Sequence, residues 1–321
     1  KIAITTHRSP DGDALGAALG LQHYLIKKGF DVDVVSPTDY GDFLKWLPGN
    51  DAVINYEEQQ QCGYRKLQEA DLVFCLDFNQ TSRVEGLESA LNESTSPKVL
   101  IDHHPEAQGF EDYSLWDPTA AATAELVYQF INDCGDADVM DADIGTCLYT
   151  GILTDSGSFR FSSTSPHLHQ MAAHILQSGV DHVKIHENIY DTFTENSLRF
   201  FGHCFSNCLH LFREYRTAII EVTQADMNAF GVTKHQTEGL VNFALSIQGV
   251  IFAAIVKEGD DFSKISFRSK GNFPANAFAT EFFEGGGHAN AAGGKCHANT
   301  AKTIQLFRER LDAYKALLKQ S

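Results

Sequence analysis

No stretch of this 321-residue chain approaches the ~20 consecutive apolar residues that a membrane-spanning helix needs. The longest apolar runs, such as Gly249–Val256, are the size of a buried strand. No basic-then-apolar secretory signal opens the chain. The first residues already read as a strand, so a short preceding segment is expected, and a cytoplasmic location with them. Cysteine pairing is missing too. Seven cysteines, at 62, 75, 134, 147, 204, 208 and 296, make an odd number with no CxxC, as in a reduced cytosolic protein. One group, His203-Cys204 with Cys208 and His210, is weighed as zinc ligands, which must converge four together. On a helix Cys204 and Cys208 share a face, whereas His203 and His210 form a different pair. The group is read as small residues buried on a helix.

Positive charge is scarce as well. Lys and Arg number 25 against 42 Asp and Glu, a net charge of −17, which disfavours wrapping of long DNA or RNA. The deficit is uneven: residues 257–321 carry +3 and residues 1–256 carry −20. The C-terminal part is thus suited to an anion, and the acidic front to metal cations. Internal repeats and low-complexity segments are absent. What remains, with 43% apolar and 21% charged residues, is a globular composition long enough for one large domain or two ordinary ones.

Short apolar runs at Ile2–Thr6, Val32–Val35, Leu72–Leu76 and Val99–Ile101 suit parallel strands buried on both faces. Helical patterns lie between and after them, at Ala14–Leu25 and about 57–69, 82–92 and 120–133. This alternation predicts an α/β fold with an N-terminal doubly wound parallel sheet. From about 138 to 211 the chain reads as mostly helical. Strands then follow at Thr217–Val222, Val250–Val256 and Lys264–Arg268, with a closing helix at Ala301–Leu318. We expect a catalytic domain at 1–194, a helical linker at 195–212, and a smaller α/β domain at 213–321.

Chemistry-bearing residues fall at the ends of the predicted strands, where open α/β sheets bind ligands. His7-Arg-Ser-Pro-Asp11-Gly-Asp13 lies between a strand and a helix. Pro10 and Gly12 make a tight turn that could aim two carboxylates and an imidazole at one point, a donor set for manganese, iron or zinc. The same residues also read as Asp11 opening a turn and Asp13 capping the helix. Asp77 follows the third apolar run, Asp102-His103-His104 the fourth, and Asp155 ends Gly151-Ile-Leu-Thr-Asp155. Each alone also reads as a cap or a packed pair. Collected at one sheet edge, the acids would repel one another without a cation. His7, Asp11, Asp13, Asp77, His103 and Asp155 would supply two metals sharing one carboxylate. Paired metals ~3.5–4 Å apart suit phosphoester hydrolysis, activating water and neutralising phosphoryl charge.

The C-terminal part carries Phe267-Arg268-Ser269-Lys270 and Gly285-Gly286-Gly287-His288-Ala-Asn290-Ala-Ala-Gly293-Gly294. Three successive glycines can turn backbone N–H groups toward an anion, and arginine can grip phosphate in two places. The bland alternatives are a flexible loop and a solvated arginine.

In their order and spacing, His7-xxx-Asp11-x-Asp13, Asp77, Asp102-His103-His104, Thr154-Asp155 and Gly285-Gly286-Gly287-His288 with Ala291-Ala292-Gly293 resemble the DHH phosphoesterase family in its DHH–DHHA1 form. The likeness spans nearly the whole chain and looks most like the NrnA-type nanoRNase and pAp phosphatase branch. It implies a hydrolase that removes mononucleotides from short oligoribonucleotides and dephosphorylates 3′-phosphoadenosine 5′-phosphate, with the active site in the cleft between the domains. It implies two divalent ions, Mn²⁺ foremost with Co²⁺ or Mg²⁺ as alternatives. His7, Asp11 and Asp77 would hold one; Asp13, Asp77, His103 and Asp155 the other. Asp102 would orient the histidines, and His104 would assist the leaving oxygen. Arg268, Gly285, Gly286, Gly287 and His288 would bind a second phosphate, with Arg83 in a phosphate or structural role. A homodimer through the N-terminal domain is a further implication. Phe78-Asn79 after Asp77, and Ser156 after Asp155, depart from the usual neighbours without removing a ligand.

Competing readings keep the same front half. An inorganic pyrophosphatase shares the metal motifs but lacks the GGGH loop. A linear or cyclic dinucleotide phosphodiesterase is not separated by sequence. An exonuclease on long single strands is disfavoured by charge and size, and a non-catalytic nucleotide-binding module would be expected to have lost metal ligands.

Overall fold

The short apolar runs of the first half are strands of one sheet. The computed structural model describes residues 1–233, 235–237 and 239–320, and the chain divides into two units, Lys1–Thr192 and Phe193–Ser321. In the first, β1 (Ile2–Thr6), β2 (Val32–Ser36), β3 (Ile54–Asn55), β4 (Leu72–Leu76), β5 (Lys98–Asp102) and β6 (Tyr113–Trp116) form a sheet in the order β3-β2-β1-β4-β5-β6. All neighbours are parallel, with Ile4 between Val34 and Phe74. Strand order reverses between β1 and β4, which opens a crevice beyond their carboxyl ends.

Side chains alternate between two cores, as the period of a strand requires. Ile2, Ile4, Phe74, Leu76 and Ile101 face one; Ala3, Val35, Val73, Cys75 and Leu100 face the other. The first core is closed by α1 (Gly12–Lys27), α4 (Thr123–Asp133), α5 (Ala142–Asp155), α6 (Pro166–Gln177) and α7 (His182–Tyr190), the second by α2 (Gln60–Glu69) and α3 (Glu88–Glu93). Helices α1 and α5 pack closely because Gly16 has no side chain. A Cβ there would lie 2.5 Å from the Cys147 carbonyl oxygen. Their approach brings the start of α1 beside the end of α5, where Asp155 sits.

The second unit holds α8 (Glu195–Asn207), β7 (Leu209–Phe212), β8 (Thr217–Val222), α9 (Gln224–Phe230), α10 (Leu240–Ser246), β9 (Phe252–Glu258), β10 (Ser263–Ser269), α11 (Ala275–Phe282), β11 (Gly286–His288), β12 (Ala291–Cys296) and α12 (Thr300–Leu311). Its sheet runs β11-β12-β10-β9-β8-β7, with β8 and β9 parallel and the other neighbours antiparallel. Phe252, Phe267, Phe278, Phe283 and Phe307 fill the face under α11 and α12. Phe200, Phe201 and Cys204 of α8 pack with Ala218, Ile220, Ala253 and Ile255 on the other.

In the segment expected as a helical linker, 195–212, the helix stops at Asn207 and residues 209–212 form an edge strand on β8, while α8 covers one face of the sheet. The closing helix also breaks, with a 3₁₀ turn at Asp312–Tyr314 between two helical segments. No described helix is long and apolar enough to cross a membrane.

Candidate active site

Six ligand-type side chains of the first unit meet at the crevice beyond β1, β4 and β5. His7 leaves the end of β1, and its Nδ1–H donates to the Arg8 carbonyl at 2.7 Å. That bond leaves Nε2 facing Asp77 Oδ2 at 3.4 Å and Asp11 Oδ1 at 3.9 Å. His103, beyond β5, is held the same way, Nδ1 lying 3.2 Å from the Ala120 carbonyl. Its Nε2 points at Asp155 Oδ2, Asp77 Oδ1 and Asp13 Oδ2, at 3.3, 3.5 and 3.8 Å. Backbone carbonyls on Nδ1 fix the tautomer whose Nε2 lone pair can bind a metal.

Asp77 is central. It adopts a left-handed backbone, φ 65°, which aspartate tolerates better than most residues. Its two oxygens face different histidines, Oδ2 towards His7 and Oδ1 towards His103 and His104. Donor atoms of His7, Asp11 and Asp77 lie within 4.8 Å of one another, as do those of Asp13, His103 and Asp155. Nitrogen and oxygen donors without sulfur fit Mn²⁺ or a similar divalent ion. The residues present therefore fit the metal dependence of such sites.

The caps differ from the sequence alternatives. Asp11, not Asp13, caps α1, accepting from the backbone of Asp13 and Ala14. Asp13 is fully buried and accepts instead from the Thr123 and Ala124 N–H groups at the start of α4, at 2.6 and 2.8 Å. Thr123, absent from the sequence-based site, donates its hydroxyl to Asp77 Oδ1 at 2.8 Å. Its signal was faint: a threonine after three alanines, inside a pattern read as helix from residue 120. Asp102 is fully buried and accepts from His104 Nδ1 at 2.8 Å.

Packing so many charges together shifts their protonation. Burial and the charges of Asp77 and Asp155 push Asp13 well above the carboxylate range. Burial, opposed by His103, lifts Asp155 to about 6. Asp77 goes the other way: burial would raise it, but the His7 hydrogen bond and the charges of His104, His7 and His103 hold it below the usual range. Burial disfavours charge on both histidines, yet their carboxylates raise His7 to about 9 and His103 to about 11. Half-buried Arg83 stands near enough to oppose the charge on His7, and its carbonyl accepts from Arg8 N–H at 2.8 Å.

In the second unit, Arg268 on β10 and His288 on β11 both stand opposite Ala291 of β12. Directly opposed residues share a sheet face, so Arg268 and His288 do. Arg268 also donates to the Phe267 carbonyl at 2.9 Å. The expected glycine loop is corrected: Gly286 and Gly287 belong to edge strand β11, with Gly285 just before it. A Cβ at Gly285 would drive into the Gly293 carbonyl, so glycine here permits a close hairpin.

A doubly wound sheet gathering carboxylates and imidazoles at its switch point defines the class, an α/β protein with donor groups that could hold metal ions. Residues 1–152 match the DHH family, N-terminal domain, and residues 218–317 the DHHA1 domain. The bifunctional oligoribonuclease and PAP phosphatase NrnA of Thermus thermophilus is 30% identical over 292 residues, covering 91% of this chain and 83% of that protein. The NrnA of Bacillus subtilis is 25% identical, covering 92% and 90%. The crystal structure of an exopolyphosphatase-related protein from Bacteroides fragilis superposes with a TM-score of 0.96 at 36% identity, covering 99% of this chain and 94% of that one. The chain belongs to the DHH phosphoesterase family, in its DHH–DHHA1 form, and is a hydrolase.

Proposed function

We propose that this protein releases mononucleotides from short oligoribonucleotides and removes a phosphate from 3′-phosphoadenosine 5′-phosphate, using two divalent ions, Mn²⁺ foremost. The observation that carries the reading is Asp77, whose two oxygens reach toward His7 and His103 and so join two donor groups. The names of the Thermus and Bacillus relatives support the substrate class.

His7, Asp11 and Asp77 would hold one ion, and Asp13, Asp77, His103 and Asp155 the other. When bound, the pair supplies Lewis-acid neutralisation of the phosphoryl oxygens and lowers the pKa of water. Thr123 and the start of α4 fix Asp77 and Asp13, so both carboxylates are pre-aimed. His104, steadied by Asp102, would give a proton to the departing ribose oxygen, and the Asp102 carboxylate would stabilise the imidazolium. Arg268, Gly285, Gly286, Gly287 and His288 would bind a second phosphate of the substrate, and Arg83 would steady charge beside His7. All seven cysteines are free thiols, which supports a reducing, cytoplasmic setting.

The test is a substrate panel with Mn²⁺: 3′-phosphoadenosine 5′-phosphate, a linear dinucleotide, a short and a long oligoribonucleotide, and pyrophosphate. Turnover should favour the first and the short oligoribonucleotide and disappear in Asp77→Asn. Cleavage of the dinucleotide alone would move the protein to the phosphodiesterases. Turnover of pyrophosphate alone, or of nothing, would overturn the reading.

A further inference from the structure

The end of helix α8 carries a second cluster of ligand-type side chains, remote in sequence from the metal residues of the first unit. Cys208 follows the helix as its C-cap, one turn after Cys204. His203 Nε2 lies 3.0 Å from Asp226 Oδ1. Asp226 is locked by the capping box that starts α9, its Oδ2 accepting from the Thr223 hydroxyl at 2.5 Å and the Thr223 N–H at 3.3 Å. Donor atoms of His203, Cys208 and Asp226 all lie within 4.8 Å of one another. His210, close to this group in sequence, goes elsewhere: β7 carries it to Glu221, Nε2 to Oε2 at 3.4 Å.

We propose that His203, Cys208 and Asp226 form a separate site for a borderline-soft divalent ion, Zn²⁺ or Co²⁺, with Cys204 beside it as the available fourth ligand. Three observations carry this. The first is spacing. Tetrahedral zinc with bonds of ~2.0–2.3 Å sets its ligand atoms ~3.3–3.8 Å apart. The histidine–aspartate pair stands at 3.0 Å and every donor pair of the three lies within 4.8 Å, so the atoms are already gathered at about the spacing such an ion sets. The second is donor chemistry. Thiolate with imidazole selects zinc or cobalt, whereas the cluster around Asp77 offers only nitrogen and oxygen.

The third is support around the ligands. Asn207 Nδ2 lies 3.1 Å from His203 Nδ1, and with its amide turned over it would accept from Nδ1–H and leave Nε2 for the ion. The Cys204 thiol is buried and pairs with that of Cys208. Such an ion would pin α8 and α9 together over the sheet.

The experiment uses cobalt as a reporter in the full-length, metal-stripped protein. No cysteine belongs to the donor groups of the first unit, so a thiolate-to-cobalt charge-transfer band reports this site alone. Titration with Co²⁺ should raise that band to a plateau at one equivalent of this site, and Zn²⁺ should erase it. Cys208→Ser should at least halve the band, Cys204→Ser combined with Cys208→Ser should abolish it, and His203→Gln should weaken cobalt binding at least tenfold, while Cys134→Ser keeps both. Circular dichroism establishes that each variant is folded. Zn²⁺ should also slow labelling of the Cys208 thiol in the unmodified protein, a readout that needs no variant. A missing band in the unmodified protein, a band undiminished by Cys208→Ser, or labelling indifferent to zinc would overturn the proposal. His203 and Asp226 would then be a hydrogen-bonded pair that caps α9 and nothing more.

Discussion

Replacing Thr123 by valine tests whether the site is aimed by its surroundings as well as by its ligands. The Thr123 hydroxyl donates to Asp77 Oδ1 at 2.8 Å, and both residues are almost wholly buried. Valine keeps the shape and removes the donor, so no cavity opens. The Thr123 N–H bond to Asp13 is untouched, which isolates the effect on Asp77. A hydrogen bond to a charged group contributes about 1.5–3 kcal/mol. At about 1.4 kcal/mol per factor of ten, metal affinity should fall roughly 10- to 100-fold. Partners that steady metal ligands typically carry that much affinity. Calorimetric titration with Mn²⁺ measures the loss, and the Mn²⁺ dependence of turnover should shift with it. Thr123→Ser retains the hydroxyl and should restore most of the affinity. Wild-type affinity in the valine variant, or a serine variant as weak as valine, would show that the Thr123 hydroxyl does not aim Asp77.

Metal binding should release protons. His7, raised to about 9, and His103, raised to about 11, are protonated in the metal-free protein at neutral pH and must lose those protons to bind metal. Titrations in buffers of different ionisation enthalpy should show at least two protons expelled near neutrality, with Asp13, itself pushed well above the carboxylate range, adding to them, and affinity rising as pH rises. The same raised values stabilise the metal-free fold below the unfolded histidine pKa, a contribution lost as pH climbs through about 9 and then about 11. Gly151→Ala would set a Cβ 2.6 Å from that of Ala124 and 2.8 Å from Asp13 Oδ1. Overpacking there should cost about 1–3 kcal/mol in denaturant unfolding and weaken metal binding; an unchanged variant would mean that α5 shifts freely. Phe252→Ala removes the ring beside Phe273, Phe278 and Phe307, at centroid distances of 4.5, 5.1 and 5.4 Å. It should destabilise the second unit by about 3–5 kcal/mol, read as an earlier unfolding step.

The buried strands of the first sheet were legible because parallel strands covered on both faces are continuous apolar runs. Its edges were not. Strand β3 is only Ile54–Asn55, and β6 is mostly exposed, so neither shows such a run. The chemical residues stood out because acids and histidines followed the strands directly. Which of them cap helices was hidden, since Asp11 and Asp13 are equivalent by type. The burial of Asp13 against α4 comes from contacts more than a hundred residues away. Thr123 escaped notice for the same reason: its role lies in a partner, Asp77, forty-six positions earlier. In the second unit, glycines read as a loop because strand propensity disfavours them, yet close hairpin approach demands them. The strand Leu209–Phe212 merged with the preceding helix because both share an apolar pattern.

A joint titration of metal binding and turnover in the chelated protein tests most directly whether Asp77 joins two metal sites. Mn²⁺ would be added stepwise while release of nucleotide from a short oligoribonucleotide is followed in the same samples. Turnover should be absent before metal and should rise as the two groups sharing Asp77 fill, and Asp77→Asn should lose both binding and activity. Full turnover in the chelated protein, or an Asp77→Asn variant that binds Mn²⁺ and cleaves like the unmodified chain, would contradict that role of Asp77.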